Sequence, residues 1–220
     1  MRDQIKKAAI TVASTHHGLA AEITLLFVLP LFLVKVFPVI VHLRHLVMLL
    51  SLTYIFLLVR TSRLSRAAMG LTFVNTWPAS LALIAPSLVV MIFTLTVSQL
   101  EPSVLMIPAL VKEQAHLPLW AAVLGYTLIS VPLQEIIFRA FYLPRLELIT
   151  SNKYFLILFS ASLFALMHIP LGNWMLVVTT AYLGIIWADN FLKFRNLPAI
   201  MLSHSVVGTF LWIISYAILT

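Results

Sequence analysis

The chain has 220 residues, 62% of them hydrophobic and 10% charged, with a formal net charge of +7 and no cysteine. Soluble domains run at about 45–50% apolar and about 25% charged, so this is the composition of an integral membrane protein. The lack of cysteine excludes disulfides, thiol nucleophiles and cysteine-based metal sites, and the positive balance fits basic cytoplasmic loops better than nucleic-acid binding.

Residues 1–20 begin MRDQIKKAAITVASTHHG. They have a basic start but no long apolar run, so they read as a short cytoplasmic segment and not as a cleavable signal peptide. Crossing hydrocarbon takes about 20 mostly apolar residues. Seven stretches qualify: 21–41, 44–60, 78–99, 118–143, 154–171, 173–192 and 197–219. Between the third and fourth lies EPSVLMIPALVKEQAHLP, broken by three prolines, which reads as a surface helix or re-entrant piece. No repeat, low-complexity tract or long linker interrupts the pattern. The expectation is one all-α, polytopic transmembrane bundle over residues 21–220. Lys and Arg in alternate loops number ten on the N-terminal side and three (Lys35, Arg44, Lys112) on the other, which puts the N-terminus in the cytoplasm.

Ionisable groups inside spans are costly and are functional hypotheses by default. Glu135 and Arg139 fall in the fourth span, His168 in the fifth and His204 in the seventh. Plainer readings exist for each. Glu135 and Arg139, four apart, could be a structural ion pair with the arginine snorkelling outward. Either histidine could be a neutral ring bonded to a backbone carbonyl. Asp189 reads as an interfacial partner of Lys193, Glu22 as a carboxylate opening the first span, and the tryptophans as interface anchors and packing. A carboxylate and two histidines on three separate late spans nevertheless describe a site built between helices. Such a set can activate water and stabilise an oxyanion. It also suits zinc, although the HExxH spacing is absent. From the expected span ends, Glu135 and His204 lie about 10–12 Å deep and His168 about 21 Å. The three meet only if the fifth span starts near residues 158–160 or tilts strongly.

Three motifs in order carry a resemblance: Gln134-Glu135-Ile136-Ile137-Phe138-Arg139, Phe164-Ala165-Leu166-Met167-His168 and His204-Ser205-Val206-Val207-Gly208. Pro132 precedes the first, and Arg195-Asn196-Leu197-Pro198 leads to the third. The pattern resembles EExxxR, FxxxH and HxxxN/D of the CPBP (CAAX prenyl protease and bacteriocin-processing, or Abi) family of intramembrane glutamic endopeptidases. The likeness covers about the last hundred residues, with a protease-like core at about 118–220.

The resemblance implies a metal-independent, cofactor-free peptidase acting on a membrane protein or peptide within the lipid bilayer, with no nucleic-acid partner. Glu135, assisted by Gln134, and His168 would position and deprotonate a water. His204, with backbone groups left open by Gly208, would stabilise the oxyanion. Arg139 would fix Glu135. Small size suggests a bacterial inner membrane. Two positions depart: Gln134 stands where the family has its first glutamate, and Gly208 where it has Asn or Asp. An amide cannot take a proton at neutral pH, and glycine offers no donor. The alternatives are therefore a catalytically inactive relative that binds or scaffolds membrane partners, and a proton-coupled transporter.

Overall fold

A computed structural model describes residues 16–25, 29, 50, 53–57, 64–101 and 118–219. Most of the first two expected spans, and the proline-broken stretch after the third, lie outside these residues. The described helices are α1 (His16–Ile23), α2 (Thr76–Leu100), α3 (Leu119–Glu147), α4 (Lys153–Leu166), α5 (Trp174–Phe194) and α6 (Leu197–Leu219). No strand occurs among the described residues. α2, α3, α5 and residues Leu197–Ala217 of α6 are long and apolar enough to cross a membrane. The protein is an all-α integral membrane protein.

The four long helices fall on the third, fourth, sixth and seventh expected spans. The fifth is shorter than expected: α4 stops at Leu166, His168 follows it, and a 3-10 turn at Ile169–Leu171 leads to α5. Asparagine opens each of the last three helices. Asn152 accepts from Phe155 N, Asn173 from Leu176 N and Asn196 from Ala199 N, each a side-chain N-cap. α4 and α5 pack closely because Gly184 lies against the Ala161 backbone, where a Cβ would come within 2.9 Å of Ala161 Cα.

The depth mismatch between the site residues closes without moving the start of α4. α3 runs on to Glu147, past its expected end, and so places Glu135 about 18 Å from that end. α4 over its 14 residues spans about 21 Å and delivers His168 to a similar depth. α6 starts where expected, but its first turn is sunk into the protein: Asn196, Leu197, Ala199 and Ile200 are fully buried. The 64–76 segment lies over that turn. Leu197 N donates to Gly70 O, and Asn196 Nδ2 donates to Thr72 O, Val74 O and Thr76 Oγ1. Gly70 has φ +67, and a Cβ there would meet Phe191 Cε2 at 2.6 Å.

Asn196 thus caps α6 and ties down the overlying segment. Asn196→Ala should cost about 1 kcal/mol for the cap and about 0.5–1.5 kcal/mol for each bond lost to the segment. Asn196→Asp keeps the cap but donates nothing, so its unfolding midpoint in detergent should fall between wild type and the alanine variant.

Two polar expectations are corrected. Glu22 lies nearly two turns into α1 and not at a helix start, and it is buried. It pairs with Arg145, whose Nη1 and Nη2 donate to Glu22 Oε1 and Oε2 at 2.6 and 2.7 Å. Tyr142 Oη adds a hydrogen bond to the same carboxylate. Arg145, expected in a loop, is buried because α3 continues through it. Asp189 does form an exposed ion pair, but with Lys153 across the α4–α5 contact at 2.6 Å. Lys193 lies over the Phe194 ring instead.

Candidate active site

The site is built on a helix whose turns are widened twice. α3 contains π-helical stretches at Tyr126–Ser130 and Ile136–Tyr142. Each is followed by a proline, Pro132 or Pro144, close behind it. A proline in a helix has no N–H for the carbonyl four residues earlier and its ring collides with that carbonyl. Those carbonyls belong to Leu128 and Ala140, one in each π stretch. The prolines therefore account for the widened turns, a distortion frequent at functional sites.

Glu135 sits between the two π stretches and is fully buried. Its Oε1 accepts from His204 Nδ1 at 2.7 Å and from Arg139 Nη1 at 3.3 Å. The carboxylate can only accept here, so the His204 Nδ1 carries a proton, and 2.7 Å is a charge-assisted distance. Glu135 Oε2 is buried with no hydrogen-bond partner among the described residues, as are Arg139 Nε and Nη2. Arg139 does not snorkel. It is fully buried, with its guanidinium 4.5 Å from the Phe164 ring centre and 5.5 Å from that of Trp187. Cation–π attraction replaces part of the hydration lost there.

Phe164 joins the remaining parts. Its ring centre lies 4.9 Å from that of His168 and 5.7 Å from that of His204. His168 is half-buried. His168 Nδ1 lies 2.8 Å from Phe164 O. A carbonyl only accepts, so Nδ1 holds the proton and Nε2 keeps its lone pair. The backbone bond of the plainer reading is therefore present. It also leaves the other nitrogen able to accept a hydrogen bond.

Gln134 stands apart from this cluster. Its Nε2 donates to Ser130 Oγ at 2.9 Å, on its own helix. Gly208 is buried, and its bare Cα is covered by the Tyr126 ring, which makes the expected open backbone there a covered one. Glu135, His168 and His204 do not form a group that could hold a metal ion, among the described residues.

Trp187 was assigned to anchoring or packing, yet it forms a wall of the site. It stacks on His204 with ring centres 4.5 Å apart and donates from Nε1 to Ser203 Oγ, which in turn bonds Ser87 on α2. Only its position facing His204 distinguishes it, and that is a property of helix packing with no signal in the sequence. Trp77, Trp120 and Trp174, by contrast, are exposed near the ends of α2, α3 and α5.

Residues 116–210 match the family described as type II CAAX prenyl endopeptidase Rce1-like. This part of the chain is Rce1-like. No curated protein and no solved structure matches the chain. The Rce1-like region takes in α3, α4, α5 and the first half of α6, and so holds Gln134, Glu135, Arg139, His168 and His204. It agrees with the resemblance carried by the three motifs. The Rce1-like family is a protease family.

Proposed function

We propose that the Rce1-like region is an intramembrane endopeptidase that hydrolyses a peptide bond in or near a membrane-associated segment or C-terminal tail. The observation that carries this reading is the buried Glu135–His204–Arg139 cluster with His168 beside it. A nucleophilic water accepts its place from two groups: the unpartnered Glu135 Oε2 and the free His168 Nε2. His168 takes the water's proton as the oxygen attacks the scissile carbonyl. His204, held through Nδ1 by the Glu135 carboxylate, acts in its doubly protonated form and donates from Nε2 to the oxyanion. The proton on His168 then passes to the leaving amine as the C–N bond breaks. Arg139 holds the Glu135 charge in place. No metal or cofactor takes part in this scheme. In the same reading the chain crosses a bacterial inner membrane seven times with its N-terminus in the cytoplasm.

A second reading keeps the fold for binding alone. Gln134 favours it, because its amide cannot serve as a base and is turned to Ser130. Purified protein in lipid nanodiscs, given peptides with candidate C-terminal sequences, separates the two. The peptidase reading expects wild type to cleave and His168→Ala to lose about 10²–10⁴-fold in rate. Gln134→Glu should change the rate little. Cleavage by Gln134→Glu with none by wild type would show a site switched off at that residue and would leave binding as the role.

A further inference from the structure

We propose that the Tyr126 hydroxyl is a second oxyanion donor, standing in for the side chain that Gly208 lacks. This rests on the peptidase reading above. An ideal Cβ on Gly208 would lie 2.0 Å from Tyr126 Oη and 2.3 Å from both Cε1 and Cζ. The end of the phenol therefore fills the space where a side chain at 208 would begin. That space is one helical turn beyond His204 on α6, so it is on the same face of the helix as the imidazole. The Tyr126 ring meets His204 edge-on with centres 5.9 Å apart, and meets Trp212 on its other side at 6.4 Å.

The distortion of α3 makes this possible. Tyr126 and Glu135 are nine residues apart, which in a regular α-helix is two and a half turns and would point them in opposite directions. The π stretch at Tyr126–Ser130 alters that count, and both residues face α6: Glu135 at His204, Tyr126 at Gly208. Thr127 and Thr209, the next residue on each helix, are 3.5 Å apart through their hydroxyls, so the two helices are in contact along this stretch. Tyr126 is half-buried, and the Glu135 charge reaches it. A phenol is a donor with a rigid ring behind it, held by contacts that do not use its O–H. Such a group is aimed before the reaction, which is what an oxyanion contact requires.

The test is steady-state cleavage by wild type, Tyr126→Phe, Gly208→Asn and the double variant Tyr126→Ala/Gly208→Asn, with unfolding midpoints measured beside it. Tyr126→Phe keeps the ring against Gly208 and removes only the hydroxyl. The expected result is a fall in kcat of about 10²–10³-fold with KM and midpoint little changed, the mark of an interaction made in the transition state. Gly208→Asn alone should lower the midpoint, because its Cβ collides with the phenol. The double variant places a donor in the cleared space and should recover part of the lost kcat. Tyr126→Phe with wild-type kcat, or with its loss confined to KM or to the midpoint, overturns the proposal and leaves the peptidase reading standing. A wild-type protein that cleaves no peptide overturns both.

Discussion

Glu135→Gln should abolish cleavage and destabilise the protein together. The Glu135 carboxylate holds both the His204 imidazole and the Arg139 guanidinium on one oxygen, with no exposure to solvent. A glutamine keeps the shape and loses the charge. Arg139 then becomes a buried cation without its counter-charge, and breaking a buried pair in this way costs about 3–5 kcal/mol. His204 loses the anion that supports its doubly protonated form and fixes its ring. Removing the carboxylate behind a catalytic histidine costs roughly 10⁴-fold in rate in a well-studied protease, and a loss of that order is expected here. Stability and chemistry separate in a second variant. Glu135→Gln/Arg139→Met removes the stranded charge, so it should regain most of the stability and none of the activity. Full cleavage by Glu135→Gln in folded protein would remove Glu135 from the mechanism.

The second large effect concerns folding alone. Glu22→Gln should lower stability by about 3–5 kcal/mol, because the buried Arg145 is paired bidentately with Glu22 and would lose its counter-charge. Tyr142, which bonds the same carboxylate, accounts for part of the loss. The paired change Glu22→Leu/Arg145→Leu should be close to neutral, since two apolar side chains in that place carry no desolvation penalty. Denaturant titration in detergent reads both. Equal destabilisation by the single and the paired changes would mean that packing, and not charge, holds α1 to α3. Arg145 lies on the same helix as Glu135, so this pair also braces the helix that carries Glu135.

The membrane class was legible at once, because hydrocarbon tolerates so few charges that composition alone reports it. The long helices were legible for the same reason, but the ends of α3 and α4 were not, since one runs past 143 to Glu147 and the other stops at Leu166, short of 171. The membership of the Rce1-like region was carried by three spaced motifs. That Glu135 and Arg139 could pair followed from their spacing on one helix.

What could not be read were contacts between helices far apart in the chain. That Glu135 Oε1 takes His204 depends on α3 continuing through Arg145 and on α6 starting beneath the 64–76 segment. Neither depth is written locally. The π stretches could have been suspected from Pro132 and Pro144, but not the face to which they turn Tyr126. Trp187 and Trp120 are the same residue type in similar apolar surroundings along the chain, and one stacks on His204 while the other is exposed. Residue type and spacing set which groups were present and which helices carried them. Packing set which groups touch, because a contact across helices depends on depth, rotation and the shape of the facing side chains together, and none of these is a property of one segment.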